Sequence, residues 1–207
     1  MNYSAAMVGL RERKKQRTRR ALIEAALRLF GEKGFEQTTL AEIAAQADVS
    51  TRTFFSYFAS KEDVVFYDSE ARVELAVATI ATRMPDEPVI DLLLRVINES
   101  IEYMSSNEGL TFEDTALRVS LLQTEPALQA RALMLLFDSQ LRLATALHES
   151  YRDRLTLAEA GAAVGALVGA VKLAVMANMR NERSLQDIWE TARRATEVAV
   201  SGLRSLG

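Results

Sequence analysis

The segment from Thr38 to Lys61 constrains the fold of this chain more than any other stretch. Thr39 followed three residues later by Glu42 has the spacing of a capping box, in which a hydroxyl and a carboxylate satisfy the free N–H groups at a helix start. From Leu40 the apolar residues then recur at i, i+3, i+4 and i+7, and they are small enough for a second helix to cross close by. The spacing predicts a helix that begins at Thr39 and packs against the next one.

A second helix follows after a short turn. Asp48 stands where the backbone needs a left-handed residue, and Ser50 has the residue type of an N-cap. Phe54 and Phe58 lie one helical turn apart and are expected to face inward. The segment is therefore predicted to be a helix-turn-helix.

The outer side of the second helix has a composition that suits a DNA groove. Short hydroxyls at a helix N-terminus can bond phosphates, because free N–H groups and the positive dipole end favour an anion there. Arg52 can pair its planar fork with the O6 and N7 of a guanine, a contact worth roughly 1–3 kcal/mol of discrimination. Lys61, behind the cap Ser60, is predicted to hold a phosphate. The expected DNA contacts in this segment are Thr39, Ser50, Thr51, Arg52, Thr53, Phe55, Ser56, Tyr57 and Lys61.

The alternative is that the helix-turn-helix is only a packing arrangement of an all-α protein. Two features favour DNA binding. A helix this short cannot bury all four rings between Phe54 and Phe58, so Phe55 or Tyr57 is expected to meet something outside the core. The charge is also uneven, since residues 1–61 carry +5 and the remainder −8. A basic head on an acidic body is typical of a DNA-binding protein.

The same residues resemble the N-terminal domain of the TetR family of bacterial transcriptional regulators, over roughly residues 13 to 63. The matching positions are Gly34-Phe35, Thr38-Thr39, Ile43-Ala44, Ala47, Val49-Ser50, Thr53, Tyr57-Phe58 and Ser60-Lys61-Glu62. Three positions depart from the usual pattern: Arg52 and Asp48 stand where glycine is common, and Phe55 stands where a tyrosine often bonds a phosphate. Arg52 therefore indicates an operator different from that of glycine-bearing members.

The resemblance implies an all-α chain with three parts. These are a flexible basic arm over residues 1–12, a three-helix DNA-binding domain over 13–60, and a helical effector-binding and dimerisation domain over 61–207. It also implies that Arg17, Thr18 and Arg19 contact phosphates. The function expected is a cytoplasmic transcriptional repressor that holds a palindromic DNA operator as a homodimer until a small-molecule effector releases it. A helix from Lys61 to Met84 would link the two domains.

Composition agrees with an all-helix fold, since alanine, leucine, arginine and glutamate dominate and only three prolines occur. The chain has no cysteine and one histidine, and it lacks a glycine-rich phosphate loop and a nucleophile motif. These absences argue against an enzyme, a metal site and a bound cofactor. No secretory signal pattern is apparent at the start, which favours a cytoplasmic protein.

Candidate effector-pocket residues in the body are apolar and adaptable side chains with two polar ones, although each also suits an ordinary helical core. They are Met104, Phe112, Arg118, Leu133, Met134, Phe137, His148 and Met176. The segment from Arg118 to Arg131 is similar to a TetR subgroup typified by mycofactocin-type regulators. That similarity implies an acyl-CoA-like or other lipophilic effector.

The last two helices are expected to form the dimer interface. Small residues recur every four positions at Gly161, Gly165 and Gly169, which lets another helix approach closely. A membrane span is the alternative, but Glu159 and Lys172 bracket an uncharged stretch too short to cross a bilayer. The predicted interface residues are Gly161, Ala162, Gly165, Ala166, Gly169, Trp189, Ala192 and Ala195.

Overall fold

A computed structural model describes residues 3–106, 111–179, 181 and 184–203, with the side chains of 12–104, 111–179, 181 and 184–202. Within these ranges the chain forms ten α-helices and no strand, which confirms the all-α prediction. The polar run from Ser105 to Gly109 predicts a turn, and it lies largely outside these ranges. The helices are α1 Tyr3–Lys33, α2 Leu40–Gln46, α3 Thr51–Phe55, α4 Lys61–Val65, α5 Ser69–Ala81, α6 Val89–Ser106, α7 Phe112–Thr124, α8 Pro126–Ser150, α9 Leu157–Asn178 and α10 Leu185–Leu203.

The helix starts follow the capping residues. Thr39 and Glu42 form the predicted capping box at the start of α2, and Thr156 and Glu159 form a second one at the start of α9. Ser50 caps α3 with its hydroxyl. Each cap satisfies N–H groups that a helix end otherwise leaves unpaired, so short polar side chains fix where the helices begin.

The chain divides into two compact units, and the N-terminal unit comprises residues 1–67 together with 123–128. Within it α1 packs against α2 and α4, and α2 packs against α3. The structure differs from the sequence expectation at both ends. The helix α1 already begins at Tyr3, where a flexible arm over 1–12 was predicted. The unit extends to Tyr67 rather than ending at residue 60, because Val64 and Val65 of α4 are buried.

The prediction of one helix from Lys61 to Met84 was wrong, because the structure has two helices there, α4 and α5. The break falls at residues 66–68. The carbonyl of Tyr67 accepts a hydrogen bond from the Arg19 guanidinium, so it is not used in a continuing helix. Asp68, the first residue of the second unit, is buried and 4% exposed.

The second unit comprises residues 68–122 and 129–207. Its α5 packs against α6, and α10 packs against α9 and α6. Its apolar core includes Leu92, Leu147, Ala160, Ala163 and Leu167, all nearly inaccessible to solvent. This core takes one side of α9 and leaves the rest of that helix partly exposed.

The helix α9 is the one helix among the described residues that is long and apolar enough to cross a membrane by length and composition. Only 22% of its most apolar window is buried within this chain. A core helix of a soluble protein passes the same test, but such a helix is mostly buried. The subunit therefore leaves much of the surface of α9 only partly covered.

Candidate nucleic-acid interface

The turn between α2 and α3 holds the two helices in a fixed angle. Asp48 adopts a φ of 54°, the left-handed conformation that the sequence predicts for this position. The backbone N–H of Val49 donates to the carbonyl of Ala44 over 2.9 Å, which closes the turn. Phe54 is 0% and Phe58 5% exposed, as the spacing predicts, so α3 is anchored by two buried rings.

The face of α3 opposite these rings is exposed. Thr51, Arg52, Phe55 and Ser56 are exposed, with 57% of Phe55 accessible. The rings of Phe54 and Phe55 pack edge-on, with centroids 5.8 Å apart. The exposed Phe55 side chain is therefore held against a buried ring. The half-buried members of the predicted set are Thr53 and Tyr57.

Several hydroxyl groups that were predicted to contact DNA also form hydrogen bonds within the helix-turn-helix. The Ser50 hydroxyl accepts from the backbone N–H of Thr53 over 3.1 Å, and the Ser56 hydroxyl donates to the carbonyl of Arg52 over 3.2 Å. The Thr39 hydroxyl donates to Glu42 over 2.7 Å. The Arg52 guanidinium, by contrast, makes no hydrogen bond or ion pair with any residue that the structure describes. Arg52 is thus the side chain on this face whose donors remain available to a ligand.

The capping box of α2 is held by charge as well as by hydrogen bonds. Lys33 pairs with Glu42, and this contact together with the bonds from Thr39 lowers the pKa of Glu42 to about 2. The carboxylate therefore stays ionised at neutral pH, where it caps the helix that leads into the turn.

Near the middle of α1, Arg17 is exposed and Thr18 is half-buried. The neighbouring Arg19, for which the resemblance also implied a phosphate contact, makes contacts within the N-terminal unit. Its guanidinium lies 5.5 Å from the centroid of the Phe58 ring and 5.8 Å from that of Tyr67. Arg19 also donates to the Tyr67 carbonyl. It ties α1 to the end of the N-terminal unit. Arg17 is exposed, and its phosphate contact stays a prediction.

The structure gives Lys61 a different role from the predicted phosphate contact. Its ammonium donates to the carbonyls of Phe35, Glu36 and Thr38 over 2.8, 3.3 and 3.3 Å. It also lies 4.4 Å from the centroid of the Phe35 ring. An ammonium has three protons, and these three carbonyls take all of them. Lys61 therefore ties α4 to the turn that follows α1.

We expect Lys61→Met to lower the free energy of unfolding by roughly 1–3 kcal/mol, the range for a hydrogen-bonded charged group whose acceptors lose their partner. Methionine keeps the apolar stem, so the charge and its bonds are what the variant removes. Urea unfolding measures the effect, with Lys15→Met on the exposed side of α1 as the control. Unchanged stability together with a shallower salt dependence of DNA binding would instead support the phosphate contact.

The predicted effector-pocket residues do not form one group in the structure. Leu133, Met134 and Phe137 are 53%, 66% and 64% exposed on α8, so they do not line an enclosed cavity. His148 lies on the same helix 15 residues beyond Leu133, about 22 Å away at 1.5 Å per residue. Its Nδ1 is 2.8 Å from the carbonyl oxygen of Leu155, which indicates a structural role. The remaining members are half-buried, namely Met104, Phe112, Arg118 and Met176.

The predicted dimer residues separate into three sets by their exposure. Ala192 and Ala195 are buried within the subunit, at 4% and 9% exposure, and so are not free to meet a second copy. Ala162 and Ala166 on α9 are exposed. The half-buried members are Gly161, Gly165, Gly169 and Trp189.

An ionic cluster in the second unit was missed by sequence reasoning apart from Arg118. The Arg118 guanidinium lies 2.8 Å from the Asp68 carboxylate, and Arg72 lies 3.6 Å from it. In the ranges that the structure describes, no group of three or more histidine, cysteine, aspartate and glutamate residues could hold a metal ion.

Comparison with known proteins finds matches to the helix-turn-helix segment. Residues 22–67 match the profile of the bacterial regulatory proteins of the tetR family. The chain is 46% identical over 79 residues to the HTH-type transcriptional regulator TcmR of Streptomyces glaucescens, which is 38% of this chain and 35% of that protein. The curated relatives that it matches are covered over 21% to 47% of their lengths, and all are described as regulators of transcription rather than enzymes.

Solved structures share the fold beyond the matched segment. The repressor SmeT of the Stenotrophomonas maltophilia multidrug efflux pump SmeDEF has a TM-score of 0.58 at 23% identity, covering 89% of both chains. The repressor FadR of Thermus thermophilus, solved with lauroyl-CoA, has a TM-score of 0.52 at 21% identity over 89% of this chain and 94% of that one. At these identities the likeness establishes the two-part helical fold alone.

Proposed function

We propose, from the match of residues 22–67 to the bacterial regulatory proteins of the tetR family, that the chain is a ligand-responsive, DNA-binding repressor of transcription acting in the bacterial cytoplasm. The observation that carries the proposal is the outer face of α3. Two buried rings and a capped N-terminus fix this helix, and Arg52 projects from it with no partner among the described residues. A guanidinium held in this way suits guanine readout in a major groove.

Phosphate contacts would set the position of that helix on the duplex. Exposed cations lie along α1 at Arg13, Lys14, Lys15 and Arg17. The helix start at Ser50 adds a positive dipole end. These contacts carry little sequence information, whereas Arg52 and the exposed ring of Phe55 would face base edges, where a ring can meet a thymine methyl.

The active species proposed is a homodimer formed through α9. Its apolar surface is largely uncovered within one subunit, and Leu173 is 69% exposed. Ala162 and Ala166 are exposed and have small side chains, so another helix can approach this side of α9 closely. A two-fold dimer doubles the base contacts of a short recognition helix and reads a palindrome with half-sites about one helical turn apart.

Ala166→Arg is expected to convert the dimer into a monomer, because it places a charge and a long side chain in a close helix contact. Ala166 is exposed in the subunit, so its fold should be retained. Sedimentation reports the mass and fluorescence anisotropy the affinity for duplex DNA, which should fall by at least tenfold with loss of the second recognition helix. Ala81→Arg, at the exposed end of α5, is the control. A dimeric Ala166→Arg variant would place the interface elsewhere.

The effector proposed is a small lipophilic molecule that binds the second unit. Apart from His148, the predicted pocket residues that are half-buried in the second unit are Met104, Phe112, Arg118 and Met176. The structural neighbour FadR of Thermus thermophilus was solved with lauroyl-CoA, a lipophilic molecule of this kind. The effector must bind the DNA-incompetent state more tightly, since equal affinity for both states would shift nothing.

The alternative function is that of a small-molecule-binding or interaction protein that does not bind DNA. Its helix-turn-helix would then be a packing arrangement only. The two are separated by binding of a mixed-sequence duplex across a salt series. A regulator that neutralises several phosphates loses affinity steeply between 50 and 200 mM salt, roughly 10³-fold or more. No binding at low salt would support this alternative.

A further inference from the structure

The helix α8 has one apolar face, and the subunit covers only part of it. Ala144 and Leu147 lie on this face near the end of the helix and are buried in the core of the second unit. Leu133 and Phe137 precede Ala144 by about three and two whole helical turns, so they lie on the same face. Both are exposed, to 53% and 64%. The subunit therefore leaves the part of this face nearer the start of α8 open to solvent.

The open part forms the α8 stripe, which we define as Leu133, Met134, Phe137 and Leu141. These side chains are between 53% and 66% exposed. With roughly 200 Å² for a large apolar side chain, the stripe presents about 500 Å² of apolar surface to solvent. Soluble monomers rarely expose a contiguous apolar patch larger than a few hundred Å². The α8 stripe therefore has the size of an interaction surface.

A groove between α9 and α10 has the opposite shape. Its volume is about 420 Å³, and its lining includes Ala170 and Ala174 of α9 and Ala195 and Val198 of α10. Three of these four side chains are methyl groups, so the two helices leave room between them for the side chains of a third helix. Val198 is 65% exposed, so the groove is open to solvent in the subunit.

The groove is continuous with the face of α9 that is proposed for the homodimer. Ala162, Ala166, Ala170 and Ala174 follow one another at intervals of four residues, which places them in one row along α9. The first two are exposed, and the last two line the groove. A second copy that packs on Ala166 therefore also lies next to the groove.

We propose that the α8 stripe packs into the groove between α9 and α10 of a second copy of this chain. The inference rests on the proposed function, because it names the surfaces that each subunit brings to the homodimer. Leu133, Phe137 and Leu141 form a ridge of bulky side chains at intervals of four residues, and helices pack by placing such ridges into grooves. At 1.5 Å per residue the ridge is about 12 Å long and the alanine row about 18 Å. The row is therefore long enough to hold the whole ridge.

The amount of surface agrees with a stable dimer. In a two-fold dimer each stripe packs into the groove of the other copy, so the contact is made twice. Two stripes of about 500 Å² and the two surfaces that cover them together bury roughly 2,000 Å². Stable protein interfaces bury about 1,200–2,000 Å² in total. The two contacts therefore supply enough area to hold the homodimer together.

Crosslinking between single-cysteine variants tests the pairing, because the chain itself has no cysteine. Phe137→Cys and Val198→Cys are co-expressed as full-length chains, with a tag on one so that mixed dimers differ in mass. A short bis-maleimide is expected to link the two variants to each other. In the control, Leu157→Cys replaces Val198→Cys. Leu157 is also exposed on α9 but lies about 20 Å along the helix from Ala170, so it should give no mixed link. A link of Phe137→Cys only to itself would overturn the proposal.

The dissociation constant of the dimer gives a second test. Met134→Glu places a charge in the α8 stripe and should raise this constant at least tenfold, as measured by sedimentation. Met134 is 66% exposed, so the subunit should still fold. Met84→Glu is the matched control, because Met84 is 56% exposed in the same unit and lies outside the stripe and the groove. An unchanged constant for Met134→Glu would overturn the proposal. If this variant also stopped binding the apolar dye N-phenylnaphthylamine, the stripe would be a ligand surface instead.

Binding of duplex DNA by the same samples separates this inference from the proposed function. DNA binding without the mixed crosslink refutes the contact of the α8 stripe alone. The mixed crosslink without DNA binding refutes the regulator alone.

Discussion

Arg52→Ala is expected to remove the base preference of the protein at one position in each half of its DNA site. A bidentate arginine–guanine contact contributes roughly 1–3 kcal/mol of discrimination. A dimer carries two copies, so the preferred duplex should lose roughly 2–6 kcal/mol, or about 30-fold to 20,000-fold in affinity. Arg52 is exposed on a helix that Phe54 and Phe58 anchor, so the fold should remain intact.

The matched control is Arg17→Ala, which removes an exposed arginine from α1. A phosphate contact at Arg17 predicts a uniform loss of affinity for all duplexes and a salt slope shallower by about 1 per subunit. Fluorescence anisotropy on the preferred duplex and on duplexes changed at single guanines distinguishes the two patterns. If Arg52→Ala weakens all duplexes equally, Arg52 contacts the backbone and reads no base.

The second large effect is expected for Arg118→Met, which should lower the free energy of unfolding by roughly 3–5 kcal/mol at neutral pH. The variant keeps the apolar stem but takes the hydrogen-bonding partner from Asp68, whose side chain is 4% exposed. Arg72 at 3.6 Å cannot replace it without moving. Chemical unfolding measured by circular dichroism gives the difference. The double variant Asp68→Asn, Arg118→Met should recover part of the loss, because it leaves no buried charge behind.

The effect of Arg118→Met should depend on pH. Burial acts to raise the pKa of Asp68, but the charges of Arg72 and Arg118 and the bond from Arg118 lower it overall. A carboxyl with a lowered pKa in the folded state contributes stability above its unfolded pKa of about 3.9 and loses it as the pH falls through the folded value. The difference between wild type and variant should therefore be full at pH 7 and shrink below about pH 4. An equal difference at both pH values would contradict an ionic role.

The N-terminal unit could be predicted in detail because its signals are local. A cap, a turn residue and two apolar residues one turn apart each act within four or five positions, and Thr39, Asp48, Ser50, Phe54 and Phe58 all lie where these rules place them. The carbonyl contacts of Lys61 were not predicted, for the complementary reason. Its position at a helix start is compatible with a phosphate, but the carbonyls that it meets are 23 to 26 residues earlier in the chain.

The second unit was less predictable because its contacts join distant helices. Periodicity shows that Leu133 and Phe137 share a face of α8, but it does not show that this face is exposed. Ala192 and Ala195 were predicted to meet a second copy and are buried in their own subunit, because small residues suit either contact. The pairing of Asp68 with Arg118 spans 50 residues and has no local signal.

The central claim is that α3 reads DNA, and selection of random duplexes on the purified protein tests it most directly. The account predicts an enriched palindrome, with half-sites one helical turn apart, a guanine in each half whose selection is lost with Arg52→Ala, and an affinity that falls steeply with salt. The absence of any enriched sequence at low salt would contradict it. The helix-turn-helix would then be a packing arrangement only.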